Sequence, residues 1–308
     1  MRTARRLRVG AGFVVDAVTC LDDHHGWSAA ERSSGHRVVL VRRGRFRRAS
    51  RGHAAVVDPT MAYVASPGEE ERFAHPAGGD VCTSLHLSPG LWHTLAGDAR
   101  LTRSTLYVDA RLDLAHRRLL SADPADDLAE ALLPLISAAL SQLATAPTPA
   151  DDQPPTSPRA SLHPSAHPPP STSASTSLHP SASPSPRTSV RPSARTSASS
   201  SARALVDAAR EAIADGHPAS DALLPLAALL GVSPYRLSRA FTRELGVSLT
   251  HYRNRVRVGR ALDRLEQGEP SLADLAADLG FADQAHLTRT VRHHLGHTPT
   301  ALRRLLRP

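Results

Sequence analysis

Apolar residues along this chain change their period twice. Between residues 37 and 87 they form short runs rich in β-branched and aromatic residues: Arg37-Val-Val-Leu-Val41, Arg45-Phe-Arg47, Ala54-Ala-Val-Val57, Ala62-Tyr-Val64 and Val81-Cys-Thr-Ser-Leu-His-Leu87. Gly44, Gly52, Asp58-Pro59, Ser66-Pro67-Gly68 and Pro76-Ala-Gly-Gly79 separate them. Several short strands broken by turn residues at this spacing predict a barrel or sandwich. From Asp126 to Leu143 the period becomes helical, with Leu128, Leu132, Leu135 and Leu143 in phase and a kink expected at Pro134. One helix or two short ones there would leave an apolar face to pack on the barrel or on a second subunit.

From Pro147 to Ser201 periodicity disappears and composition narrows to Pro, Ser, Thr and Ala with scattered His and Arg. Such a segment cannot bury enough apolar surface to offset its ordering entropy, so it reads as a disordered linker. Its His-Pro pairs at 163–164, 167–168 and 179–180 lack Cys or carboxylate at ligand spacing, which favours linker over metal site. The expected organisation is a β-rich domain with a following helix over 1–146, the linker over 147–201 and an all-helical domain over 202–308. A linker of that length imposes little orientation on what it joins.

Past the linker the pattern is helical and punctuated. Ala204 to Ala214 predicts one helix, stopped at Asp215-Gly216. Leu223, Leu226, Ala227 and Leu230 mark a second, in which Pro225 falls in the first turn, where no intrahelical donor is lost. Gly231-Val-Ser-Pro234 is the informative joint: Gly ends one helix, Ser233 caps the next, and Pro234 occupies its first position with φ already set. The helix beginning there turns Leu237, Phe241 and Leu245 inward and leaves Tyr235, Arg236, Ser238, Arg239, Thr242 and Arg243 outward until Gly246. The grammar then repeats. Ser271 caps a helix ended by Gly280, Phe281 fills the turn, and Asp283 caps a helix with Leu287, Val291 and Leu295 inward and Gln284, Ala285, His286, Thr288, Arg289 and Arg292 outward. Leu249 to Gln267 reads as one long connecting helix. Two helix-turn-helix units result.

Charge sharpens this reading. The formal charge of the chain is +8, and all 37 basic side chains counted with Lys are Arg. By segment the charge runs −2 over 203–230, +6 over 231–260, −5 over 261–283 and +5 over 284–308. Positive charge thus concentrates in the two outward-facing helices and in the segments C-terminal to each, as phosphate contact requires. Two cysteines, Cys20 and Cys82, exclude a disulfide framework, and the Arg-rich start is succeeded by a stretch interrupted by Asp16, Asp22 and Asp23, unlike a signal peptide. No window is apolar for long enough to span a bilayer, and a soluble cytoplasmic protein is expected.

Residues 204–306 resemble the AraC/XylS family of bacterial transcription regulators. The most specific stretch is Gly280-Phe-Ala-Asp-Gln-Ala-His-Leu-Thr-Arg-Thr-Val-Arg-His-His-Leu-Gly-His-Thr-Pro299, with Ser233-Pro234, Leu237, Arg239, Phe241 and Leu245-Gly246 matching in the first unit. Leu287 and Val291 stand where that family often has phenylalanine. The resemblance implies binding to double-stranded DNA, with base contacts carried onto Tyr235, Ser238 and Arg239 and onto Gln284, His286, Thr288 and Arg289, and with Arg236, Thr242 and Arg292 as further DNA-binding residues. Arg243, Arg255, Arg257, Arg292 and Arg303 are then phosphate contacts or solvated surface. It further implies a small-molecule effector, a homodimer through the N-terminal half and contact with RNA polymerase, with no membrane.

His36 to Leu87 resembles, more weakly, the cupin-like sensor domain of such regulators, which gives an α+β two-domain protein: a cupin-like β-barrel with following helices, then an all-α double helix-turn-helix domain. A cupin barrel can hold a metal, and Cys20, His24, Glu70, His75, Cys82 and His86 are candidate ligands, with Cys20/His24 and Cys82/His86 sharing one spacing. Free buried thiols are the default reading, so no metal or other cofactor is expected. The competing reading, a metal-dependent cupin enzyme with a helical accessory module, needs the His-x-His that the barrel segment lacks. A scaffolding nucleoid protein would not need two recognition helices with mixed Gln, His, Thr and Arg faces.

Overall fold

The computed structural model describes residues 1–97, 101, 103–121, 128–141, 194–269 and 271–306; the Pro/Ser/Thr/Ala-rich segment before Ala194, with its His-Pro pairs, lies outside them. The N-terminal half is a pair of antiparallel sheets. Its strands are β1 (Arg2–Gly10), β2 (Phe13–Cys20), β3 (Glu31–Arg32), β4 (His36–Arg43), β5 (Phe46–Ser50), β6 (His53–Val57), β7 (Met61–Ala65), β8 (Glu70–Ala74), β9 (Asp80–Leu87) and β10 (Thr105–Tyr107). One sheet has the order β1-β2-β9-β4-β7-β10 and the other β3-β8-β5-β6.

The run Val38-Val-Leu-Val41 is apolar without alternation because β4 is covered on both faces. Val38 and Leu40 join Val15, Leu85 and Leu106 beneath α1 (Pro89–Ala96), α2 (Ala110–Ser121) and α3 (Leu128–Ser141). Val39 and Val41 face the other sheet with Phe46, Tyr63, Phe73 and Cys82. Pro134 does not divide the helical segment: α3 runs through it as one helix, burying Leu132, Ile136 and Leu140. The β1–β2 hairpin was not legible in the pattern. Its first strand carries Arg2, Arg5, Arg6 and Arg8 on a largely exposed sheet edge, so it has no apolar alternation to show.

The interior between the sheets is partly charged. Arg48 and Glu71 are fully buried, with Nε of Arg48 donating to Oε1 of Glu71 at 2.7 Å and Nη2 to Glu69 at 3.0 Å and to the Val64 carbonyl at 3.2 Å. Arg37 pairs with the other oxygen of Glu71. Every member has partners, the condition under which buried charge is tolerated.

The C-terminal half comprises α4 (Ala194–Ala214), a 3-10 turn (Pro218–Asp221), α5 (Leu223–Leu229), α6 (Pro234–Leu245), α7 (Leu249–Glu266), α8 (Leu272–Asp278), α9 (Gln284–Leu295) and α10 (Pro299–Leu305). Helix α4 begins inside the stretch whose composition reads as linker, seven residues before Ser201. Pro225 sits in the first turn of α5.

The two halves are docked, which corrects the expectation of free orientation. Met61 of β7 packs with Val206, Leu226 and Phe241, and Ala110 and Leu114 of α2 pack with Val258, Leu262 and Leu287. Buried charge crosses the same seam. Arg210 reaches Asp58 at 2.5 Å, Arg255 reaches Asp113 at 3.1 Å, and Arg117 reaches Asp263 at 2.8 Å. Arg42 bonds Asp263 and Glu266, and the Tyr252 hydroxyl lies 3.0 Å from Thr60 Oγ1. Whatever the linker permits, these contacts set how the helical half sits on the sheets.

Candidate nucleic-acid interface

Each helix-turn-helix unit is built by the same local devices. In the first, Gly231 at φ 63° reverses the chain, Ser233 Oγ accepts from the Arg236 N–H at 3.2 Å, and Pro234 opens α6. In the second, Gly280 at φ 71° makes the turn and Asp283 accepts from the His286 N–H at 2.6 Å. A β-carbon at either glycine would be strained, and each cap is worth about 1 kcal/mol. Inward residues are equivalent too: Leu237, Phe241 and Leu245 of α6 and Leu287, Val291 and Leu295 of α9 are all buried. Val291 fills its place in the second core beside Phe281, so the smaller side chain changes volume and leaves the outer face untouched.

The outer faces are open. Tyr235, Arg236, Arg239 and Thr242 of α6 and Gln284, Arg289 and Arg292 of α9 are exposed, while Ser238, His286 and Thr288 are partly so. Arg239 lies 5.4 Å above the Tyr235 ring and donates to its hydroxyl at 2.9 Å, which limits the guanidinium's freedom before any ligand arrives. His286 stands edge-on to Phe281, and its Nδ1 accepts from the Ala282 N–H at 3.3 Å. Between the units, α7 is one helix of 18 residues, about 27 Å at the usual rise.

The basic segments are not wholly surface. Arg255 is 1% exposed and its Nε donates to the Val108 carbonyl at 3.0 Å, so it is a docking residue and not a phosphate contact. Arg257 is partly covered and lies 6.0 Å from the Phe281 ring centroid. Arg303 is half-buried, whereas Arg243 and Arg304 are exposed. Arg253, which the sequence did not single out, is 9% exposed, and among the described residues its Nε and Nη2 make no hydrogen bond. Burial and then Arg257 hold its guanidinium below its ordinary pKa. Only its neighbours in space distinguish it from the other arginines of α7.

The N-terminal half has a half-open cavity of about 270 Å³ between the sheets, lined among others by Arg37, Phe46, Tyr63, Phe73, Cys82 and His86. Of the candidate ligands, Cys20, His75 and Cys82 are buried, Glu70 points to solvent, and His86 accepts or donates at Ser84 Oγ, 3.1 Å away. Burial raises the Cys20 thiol, and burial with Asp80 raises the Cys82 thiol. No described helix is long and apolar enough to cross a membrane.

Comparison with known proteins places a family on the helical half. The helix-turn-helix domain family matches residues 226–305. An uncharacterized HTH-type transcriptional regulator of Staphylococcus aureus strain MSSA476 is 33% identical over 81 residues, 26% of this chain, and the match covers 11% of that protein's length. The uncharacterized HTH-type regulator YbfI of Bacillus subtilis is 39% identical over 62 residues, 20% of this chain and 22% of its own. Among solved structures, the C-terminal domain of AraT, a response regulator from Geobacillus stearothermophilus, is similar at 29% identity and a TM-score of 0.31, over 32% of this chain and 84% of that one. ToxT from Vibrio cholerae aligns over 96% of this chain and 99% of its own at 10% identity and a TM-score of 0.35. The family match makes residues 226–305 a helix-turn-helix domain.

Proposed function

We propose that this protein is a cytoplasmic, sequence-specific DNA-binding transcription regulator in which α6 and α9 read successive major grooves. The observation that carries this reading is the repetition of one capped helix-turn-helix on both sides of a single rigid helix, each unit ending in an exposed polar face. The side chains there suit base edges. Arg239 and Arg289 can donate two bonds to guanine, Gln284 can pair bidentately with adenine, and Thr242 and Thr288 offer a hydroxyl or methyl to thymine. Tyr235, Arg236, Ser238, His286 and Arg292 complete the two reading faces. Arg243 and Arg304 supply phosphate contacts that hold register.

The sheet half serves in this reading as the effector domain, its cavity taking a small molecule, and as the homodimer interface. RNA polymerase is the protein partner a regulator of this kind engages. Selection of bound fragments from the organism's own DNA, followed by footprinting, tests the proposal. Two protected patches about one helical turn apart per subunit support it, and uniform protection at all sequences rejects it.

A further inference from the structure

The cavity between the sheets holds a group of side chains that DNA reading leaves unused. Cys20 ends β2 and Asp80 begins β9, and the two are direct partners across the ladder, so their side chains leave the same face. His75 comes directly after β8, anchored by its N–H to the His24 carbonyl at 2.9 Å. One ligating atom each from Cys20, His75 and Asp80 lies within 4.8 Å of the other two. None of the three is more than 6% exposed.

Their bonding is incomplete. Nε2 of His75 stands 3.0 Å from Oδ1 of Asp80 as a buried pair, while Nδ1 of His75 makes no hydrogen bond among the described residues. Buried polar atoms are rarely left so. A sulfur, a nitrogen and an oxygen of three buried side chains gathered within 4.8 Å of one another are spaced so that one cation can take all three.

We propose that Cys20, His75 and Asp80 bind one divalent, thiolate-seeking metal ion of the zinc class, with the fourth coordination position turned toward the cavity. The donor set is one sulfur, one nitrogen and one oxygen, which suits zinc, whereas calcium and magnesium take oxygen alone. Binding breaks the Cys20 S–H bond and forms a metal–sulfur bond, and the proton, held at Asp22 Oδ2 3.2 Å away in the free protein, leaves to solvent. A thiolate and a carboxylate then balance the dication, so the ion and its three ligands carry no net charge. Cys82 is a positioning residue: its thiol donates to Asp80 Oδ2 at 2.8 Å and leaves Oδ1 for the ion. A Cys20–Cys82 disulfide is disfavoured, since Cys82 pairs with Val18 and the two cysteines are diagonal neighbours, about 7–8 Å apart and at the limit of bridging.

The test uses the free full-length chain, so it is independent of whether the protein reads DNA. Protein purified under reducing conditions is stripped with a chelator, dialysed against zinc chloride and analysed for metal. One zinc per chain is expected. Cobalt(II) in its place is expected to give a sulfur-to-cobalt charge-transfer band, which reports thiolate ligation in the wild-type chain without any substitution. Cys20→Ser should abolish the band and His75→Ala should bring zinc to background. Cys82→Ala should keep the band while weakening zinc about 10–100-fold. A wild-type chain that retains no zinc, or a band undiminished in Cys20→Ser protein whose circular dichroism is unchanged, overturns the proposal.

Discussion

Arg210 of α4 and Asp58 of the β6–β7 turn meet at 2.5 Å with both side chains buried, although 152 positions separate them in the chain. Burial opposes the Arg210 cation, but Asp58, Tyr252 and Asp207 hold its pKa above the ordinary value. Asp58 also accepts from Thr60, which in turn contacts Tyr252 of α7, so one carboxylate ties a turn of the sheets to two helices of the other half.

Asp58→Ala should leave Arg210 buried and partly unpaired and cost about 3–5 kcal/mol in chemical denaturation. Arg210→Met in the same background should recover part of that loss, since it removes the stranded charge. A loss below about 1 kcal/mol for Asp58→Ala would show that the halves do not dock through this pair.

A fragment of residues 194–308 contains both helical cores apart from Met61, Ala110 and Leu114. It is expected to be helical by circular dichroism and to bind DNA, but to unfold at lower denaturant than the full chain. A fragment starting at Ser201 loses the first turns of α4 and should be less stable again. If the 194–308 fragment is unfolded, the sheet half is part of its core and not a docked neighbour.

Arg289→Ala should lower discrimination at one base pair by about 1–3 kcal/mol, whereas Arg243→Ala should weaken all sequences alike and reduce the salt slope by about one. Binding isotherms on operator and random DNA at several salt concentrations separate the two. Equal losses for Arg289→Ala on both DNAs would assign it to phosphate.

His116 and His294 are both held down to about 4. Burial is the main cause in each, with Arg42 and Arg117 adding at His116 and His251 and His293 at His294. In the unfolded chain both ionise near 6.5, so between pH 6.5 and 4 the unfolded state binds more protons. Stability therefore rises with pH across that window and is lost as pH falls through it, by about 3 kcal/mol per histidine at pH 4. Denaturation at pH 7, 5.5 and 4.5 checks this, and His116→Gln should flatten the slope. Asp113, whose pKa is lowered against its burial by Arg255 and Arg117, acts below that window, under its ordinary 3.8.

Two reading helices on one rigid helix predict an asymmetric half-site with two short motifs about 10 base pairs apart. Five base pairs inserted between those motifs turn the second groove to the far side and should abolish tight binding by one subunit. Docking of the halves adds a second expectation. Insertions between half-sites should be poorly tolerated by the wild-type dimer and better tolerated by Asp58→Ala, which loosens the seam. Band-shift assays on the inserted operators read both.

The helix-turn-helix half was legible because its signals are local: Gly231 and Gly280 in the turns, Ser233 and Asp283 as caps, and Leu237, Phe241, Leu287 and Val291 at helical spacing. Each acts within a few residues, and a sequence displays such signals directly. The central strands showed for the same reason, while β1 did not, since an exposed Arg-rich edge is defined by its partner β2 and not by its own pattern. What the tertiary structure alone decided is which polar residues go inside. Nothing local separates Arg255 from Arg257, or Arg48 from Arg47; burial is set by carboxylates and carbonyls delivered by distant segments. Asp80 likewise gained its place beside Cys20 from strand register, which fixes neighbours across sixty positions of chain that no periodicity spans.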